Sequence, residues 1–197
     1  MSKAMSENKD AILQAALQLF KDNGFDNVSI KDICAAAGVP RSSFYVAFSN
    51  KSEILVYSLK SVREDFELSI PQFIQAENDL ERIWLLTESF LRAAVDIGPD
   101  LCKVYFSLEL SGACSLFDIL ESFNPWLISL LRNCQNTGIV RNRGDAEQMI
   151  PIQLNIAIAT LFNWVRHGGN FSLKQKVREE IEFFLDVKPD FRSKISL

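Results

Sequence analysis

Hydrophobic residues recur every three or four positions along most of the chain, as they do on one face of an α-helix. In the first such segment these positions are Ile12, Leu13, Ala16, Leu19 and Phe20. Few segments alternate with the period of two that is typical of a half-buried strand. The pattern therefore predicts an all-α fold.

Capping and turn residues divide the first part of the chain into short helices. The first is predicted from Ser6, as N-cap, to Asn23, with Gly24 ending it. The second begins at Ser29, with Asp32 placed to complete a capping box, and stops at Gly38. This spacing places a tight glycine turn between two short helices.

The remaining helices are predicted from the same signals. Pro40 is expected at the first position of a third helix, where its missing N–H costs little. A fourth helix follows Asn50, with Glu53 at its third position, and extends to about Ser69. Gly98 and Pro99 should interrupt the helical pattern beyond it. The later helices are predicted at residues 79–97, 100–111, 116–122, 126–137, 145–167 and 172–186.

The glycine turn predicts a helix-turn-helix, the arrangement that places its second helix in a DNA major groove. We expect the small residues 35–38 to lie where the two helices cross. Val39, Phe44 and Phe48 should hold the third helix against the first two. The side chains then left facing outward are Arg41, Ser42, Ser43, Tyr45 and Val46.

Each outward group suits a DNA contact. Arg41 can bond a guanine edge or a phosphate, and hydroxyl groups can bond either. Lys51 lies at the start of the fourth helix, whose free N–H groups also suit a phosphate. The residues predicted to contact DNA are Ser29, Lys31, Arg41, Ser42, Ser43, Tyr45 and Lys51.

Charge supports a local rather than a general attraction to nucleic acid. The 197-residue chain has a formal net charge of −4, and 48% of its residues are hydrophobic. Residues 29–51 nevertheless hold three basic side chains against one acidic one, Asp32. DNA contact must therefore depend on this local patch.

Residues 24–55 read GFDNVSIKDICAAAGVPRSSFYVAFSNKSEIL, and this run resembles the N-terminal domain of the tetracycline-repressor (TetR) family. The resemblance covers about residues 7–56. The spacing of that family is shared by the glycine turn at Gly38 and by Tyr45, Phe48 and Lys51. The matching positions are Gly24, Phe25, Ser29, Ile33, Ala37, Gly38, Val39, Tyr45, Phe48, Lys51 and Leu55.

The resemblance implies a cytoplasmic homodimeric transcription regulator, most often a repressor, that leaves a pseudo-palindromic operator when a small-molecule effector binds. It implies a DNA-binding domain at residues 1–49 and an effector-binding and dimerisation domain at 50–197. The dimer would form through the helices at 145–167 and 172–186. Departures from the family pattern are Pro40, Cys34, Val46 and Ala47, and the last two leave fewer polar groups to contact bases.

Aromatic and polar residues of the second domain are candidates for a pocket that takes a partly apolar effector. For any one of them, a place in the core or in a dimer interface is favoured over a place in a pocket. The candidates are Trp84, Glu88, Tyr105, Phe106, Glu109, Trp126, Asn155, Phe162, Asn163, Trp164 and His167.

Other classes of function remain as alternatives. Cys102 or Cys114 could make the chain a redox-sensing regulator of the same fold. An all-helical binding protein or enzyme that ignores DNA is a further alternative, although no catalytic grouping, cofactor motif or metal spacing supports it. His167, the single histidine, is expected in the last turn of its helix. The apolar stretch 149–165 is interrupted by polar residues and predicts a buried helix rather than a membrane span.

Overall fold

The computed structural model describes residues 3–59 and 71–192, without the side chains of residues 3–6 and 116. Within these ranges every named element is helical, which confirms the all-α prediction. Residues 71–75 are also helical. The elements are α1 (Lys3–Asn23), α2 (Ile30–Ala37), α3 (Arg41–Ala47), α4 (Lys51–Ser58), α5 (Asp79–Leu110), α6 (Leu116–Glu121), α7 (Asn124–Asn136), α8 (Ala146–Arg166), α9 (Leu173–Phe184) and a 3₁₀ turn (Pro189–Phe191).

The described chain forms two compact units. The first unit contains α1 to α4 together with residues 100–115, and the second contains residues 71–99 together with residues 116–192. The chain leaves the second unit near Gly98, whose φ of 82° and ψ of 165° interrupt α5 as the sequence predicted. The proposed functional boundary between residues 49 and 50 stays a prediction.

The core of the first unit follows from the apolar stripe of α1. Ile12, Ala16 and Phe20 are four residues apart and all buried, so one face of α1 is covered by α2, α3 and α4. Phe44 of α3 and Phe48 just after it are also buried. Burying each phenylalanine stabilises the fold by about 2–3 kcal/mol. This packing fixes α3 on the rest of the unit.

The second unit is built around α8, which packs against α7 and α9. Val177 and Ile181 of α9 are fully buried, as is Leu131 of α7. A single antiparallel bridge joins Val140 to Val187 and closes the loop between α7 and α8 against the C-terminal turn. No described helix is long and apolar enough to cross a membrane.

Several predicted helix boundaries need correction. Helix α1 begins at Lys3, so Ser6 lies inside it and is not the N-cap. Pro40 has an extended ψ of 153° and is the N-cap of α3, one position earlier than predicted. Ser172 is the N-cap of α9 as predicted, but its side chain makes no capping hydrogen bond. The predicted extension of α4 to Ser69 falls outside the described residues.

Candidate nucleic-acid interface

Both ends of α2 have the local structure that the sequence predicted. The Asp32 N–H donates to Ser29 Oγ at 3.2 Å, and the Ser29 N–H donates to Asp32 Oδ2 at 2.9 Å. The Ser29 hydroxyl, and then its backbone N–H, hold the pKa of the Asp32 carboxyl below its ordinary value. At the other end of α2, Gly38 takes a left-handed φ of 65° that most side chains disfavour.

The close crossing of α2 and α3 differs from the prediction in one respect. Ala35 and Ala36 are exposed, so the small residues do not all lie at the crossing. The buried residues of α2 are Ile33 and Cys34 instead. Ile33 and Cys34 lie three and four positions after Ile30, on the covered face of α2, whereas Ala35 and Ala36 lie on the side that faces solvent.

Helix α3 presents both polar and apolar side chains to solvent. Arg41, Ser42, Tyr45 and Val46 are exposed and form what we call the recognition face, while Phe44 on the opposite side is buried. The guanidinium of Arg41 donates to the Tyr45 hydroxyl at 3.2 Å and lies 5.7 Å from the centre of its ring. These two side chains therefore hold each other in position along the helix.

Lys51 has a different environment from the other predicted DNA contacts. Its Nζ donates to the carbonyl oxygens of Phe25 at 2.6 Å, Val28 at 3.1 Å and Asp26 at 3.5 Å. It also lies 4.3 Å from the centre of the Phe25 ring. An ammonium group has three donors, so these carbonyls can occupy all of them. Lys51 therefore links the start of α4 to the turn between α1 and α2 by hydrogen bonds. Its phosphate contact stays a prediction.

The other predicted contacts differ in how exposed they are. Ser29 and Lys31 are exposed at the start of α2, and Ser43 is half-buried on α3. Asn8 of α1 lies beside Ser42 and Val46 of α3, and the sequence did not indicate this neighbour. A small hollow of about 130 Å³ separates Asn8 from the α3 residues Ser42, Ser43, Val46 and Ala47. Nothing local in the sequence shows which turn of α1 lies beside α3.

The predicted effector-pocket residues are divided between the two units. Tyr105, Phe106 and Glu109 belong to the first unit, where the Tyr105 hydroxyl lies 2.5 Å from Ser58 Oγ. Burial raises the pKa of Tyr105 to about 12. Trp164 is buried, and its indole N–H donates to the Phe171 carbonyl at 3.1 Å. This bond holds the indole against the turn that follows α8, and the pocket role of Trp164 stays a prediction.

Five of the other candidates lie on the surface of the isolated chain. They are Trp126, Asn155, Phe162, Asn163 and His167, and none of them lines the cavity beside Trp84. His167 is the C-cap of α8, as expected, with Nδ1 2.8 Å from the Asn163 carbonyl oxygen. In the described ranges no three potential metal ligands lie together. The exposure of the candidates in α8 could not be predicted because that helix is apolar on nearly every side.

Trp84 and Glu88 do border a cavity in the second unit, with a volume of about 450 Å³. Arg178 of α9, which sequence reasoning missed, forms another wall. Its guanidinium lies 5.1 Å from the centre of the Trp84 ring and pairs with Glu182 at 3.1 Å and Glu88 at 3.7 Å. The cavity therefore combines an aromatic ring with charged groups of both signs.

The thiols lie in positions that suppress reactivity. All four cysteines are buried and unpaired with one another. Burial raises the pKa of Cys102 and of Cys134 to about 12, so both remain neutral thiols near pH 7. Cys114 donates to Glu109 Oε2 at 3.2 Å. The redox-sensing alternative therefore finds no support in the geometry.

A packed helix-turn-helix with an exposed polar recognition face defines a DNA-binding protein, and the comparisons identify its family. Residues 12–57 match the family described as bacterial regulatory proteins, tetR family. The chain belongs to this family and is a transcriptional regulator.

Similarity to curated regulators extends through both units. The chain is 33% identical over 196 residues to the HTH-type transcriptional regulator HbdR of Aromatoleum sp. (strain CIB), covering 94% of this chain and 84% of HbdR. It is 31% identical over 174 residues to the HTH-type transcriptional regulator RutR of Escherichia coli (strain K12), covering 87% and 78% respectively. The similarity therefore reaches well beyond the DNA-binding segment.

Solved structures share the fold at lower sequence identity. A putative transcriptional regulator from Saccharomonospora viridis, in complex with choline, superimposes with a TM-score of 0.68 at 20% identity, covering 92% of this chain and 96% of that one. FadR from Thermus thermophilus, in complex with lauroyl-CoA, gives a TM-score of 0.64 at 17% identity, covering 96% and 98%. These likenesses establish the fold alone.

Proposed function

We propose that this regulator is a homodimeric repressor that binds a pseudo-palindromic operator and is released by a small, partly apolar effector. The recognition face carries the proposal, because α3 is fixed by the buried Phe44 while Arg41, Ser42 and Tyr45 remain exposed. A short helix held in this way can enter the major groove without rearrangement. Ser29, Lys31 and Ser43 are proposed to assist at the phosphate backbone, and Lys51 is proposed to hold the start of α2 in place beside it.

An exposed apolar stripe on the last two long helices supports dimerisation. Ile152 and Phe162 of α8 are 45% and 52% exposed, and Phe183 of α9 is 83% exposed. Asn155 and Ala159 lie between the first two at helical spacing and are exposed as well. We call these five residues the α8–α9 apolar face. A second copy of the chain would remove this surface from water and stabilise the pair.

The cavity beside Trp84 is the proposed effector site. The fold of the Thermus thermophilus and Saccharomonospora viridis proteins accommodates lauroyl-CoA and choline, which supports a small-molecule effector here. Glu88 and Arg178 would orient a polar group of the ligand, and the Trp84 side of the cavity would contact its apolar part. An effector that binds more tightly to a form with wrongly spaced recognition helices shifts the protein toward that form. The effector then lowers operator affinity by the same factor by which the operator lowers effector affinity.

Selection from random duplex DNA tests the proposal. The purified full chain should enrich a pseudo-palindrome whose half-sites are about 34–36 Å apart, or a multiple of that distance. Affinity for the enriched duplex should fall steeply as salt rises, because phosphate contacts release counterions. Arg41→Ala should change which duplexes are enriched, since an arginine on a base edge carries sequence preference. A chain that enriches no sequence at low salt would refute DNA binding.

Effector action has its own test. Compounds that raise the melting temperature of the protein, starting with lauroyl-CoA and choline as probes, are then added to the protein–operator complex. A true effector should release the operator, and Arg178→Ala should weaken its effect on both measurements. A promoter fused to a reporter gene shows whether operator binding represses transcription. Stabilising compounds that leave operator affinity unchanged would contradict the assigned role of the cavity.

A further inference from the structure

The recognition face has an apolar half that packing does not explain. Val46 is 67% exposed, and Tyr45 beside it is 50% exposed. A β-branched residue lowers helix propensity slightly, so an exposed valine brings no local benefit to a seven-residue helix. Single exposed apolar residues are common. Here, however, Val46 adjoins Tyr45 and Ala47 on the surface expected to meet bases.

The hollow between α1 and α3 is lined by two chemically different kinds of group. Val46 and Ala47 provide methyl groups, whereas Asn8, Ser42 and Ser43 provide an amide and two hydroxyl groups. In the major groove thymine presents a C5-methyl group beside its O4 acceptor, and cytosine presents a hydrogen in place of that methyl. A thymine edge therefore offers a partner to both kinds of group. Its methyl group would contact Val46 and Ala47, while a hydroxyl or the amide would donate to O4.

We propose that Val46 and Ala47 recognise the 5-methyl group of a thymine in each operator half-site, and that Val46 is the main specificity-determining residue for it. The inference rests on the proposed DNA-binding function and adds one element of its specificity. Arg41 supplies the charged contact of the recognition face. Val46 and Ala47 add a preference for thymine that does not depend on hydrogen bonds.

Replacing thymine by deoxyuridine tests the proposal, because it removes the methyl group and leaves base pairing unchanged. An operator is first selected from a random duplex pool, and is then synthesised with deoxyuridine at individual thymines in both half-sites. Burial of one methyl group is worth about a fourfold change in affinity. At the critical position, paired substitution in both half-sites should therefore weaken binding of the full chain by about fifteenfold.

Variants assign the effect to Val46. Val46→Ala should bind the thymine duplex more weakly and should lose most of the difference between thymine and deoxyuridine, as a double-mutant cycle measures. Val95→Ala serves as the matched control, since Val95 is also an exposed valine but lies in the second unit. It should keep the full difference.

The possible failures are distinguishable. If no operator is enriched from the pool, the proposed function fails. If an operator is enriched and every deoxyuridine substitution leaves affinity unchanged, methyl recognition is wrong while DNA binding stands. A full thymine preference retained by Val46→Ala would also overturn the assignment, because another group would then contact the methyl.

Discussion

At the scale of single residues, Lys51 shows how one side chain can serve a site without facing the ligand. Its ammonium group bonds the carbonyls of Phe25, Asp26 and Val28, just before the N-cap Ser29. These contacts join parts of the chain that lie 23 to 26 positions apart. Lys51 thereby helps to set where α2 begins relative to α4.

Lys51→Ala should lower the free energy of unfolding by about 2 kcal/mol, because hydrogen bonds from a charged donor are lost. Lys51→Ala should also weaken DNA binding, and the loss of affinity should be about the same for every duplex sequence. Lys31→Ala removes one positive charge from an exposed position nearby and should leave stability within about 0.5 kcal/mol of wild type. Urea denaturation of both variants, followed by anisotropy titration with DNA, separates the two roles. If Lys51→Ala is as stable as wild type, the hydrogen bonds from Lys51 to the turn between α1 and α2 do not stabilise the fold.

The Asp32 carboxylate gives the capping box a pH dependence. Because its folded pKa is depressed, Asp32 stabilises the folded state above its unfolded pKa, and this contribution is lost as pH falls through the folded value. The stability advantage of wild type over Asp32→Asn should therefore be full at pH 6 and should shrink below about pH 4. Thermal melts of both proteins across this range measure it. An advantage that stays constant down to pH 2 would contradict the prediction.

At the scale of elements, Gly38 ends α2 in a conformation that permits the turn into α3. A Cβ atom built there would meet nothing within 4 Å, so a side chain would be opposed by backbone strain rather than by a clash. Gly38→Ala should then reduce stability by about 1–2 kcal/mol. Gly38→Asn should reduce it less, because asparagine tolerates the left-handed region. Denaturation midpoints that rank alanine above asparagine would contradict this account.

The elements also show which features the sequence could predict. The capping box at Ser29, the glycine at 38 and the break at Gly98 depend on neighbouring residues, and each was predicted from local patterns. Residues of one predicted pocket fall in different units because helix periodicity gives a face but not the neighbour of that face. Tyr105 and Trp84 are an example, since both are buried but in different units. Asn8 and Arg178 were missed for the same reason.

At the scale of the whole molecule, the proposed function requires two copies of the chain. Phe162→Glu places a charge in the α8–α9 apolar face and should shift the protein from dimer to monomer in sedimentation velocity. Operator affinity should fall with it, since one recognition helix contacts only one half-site. Leu110→Glu is the control, because Leu110 is 89% exposed and lies in the first unit. A Phe162→Glu variant that stays dimeric would place the interface elsewhere.

The engagement of Lys51 with backbone carbonyls has a consequence for how this regulator searches a genome. With that ammonium turned inward, the outward cations of α2 and α3 are Lys31 and Arg41, on a chain whose formal net charge is −4. Non-specific attachment to duplexes scales with the number of phosphates neutralised. We expect weak retention on bulk chromosome, so that a small pool of molecules suffices to keep the target promoter occupied.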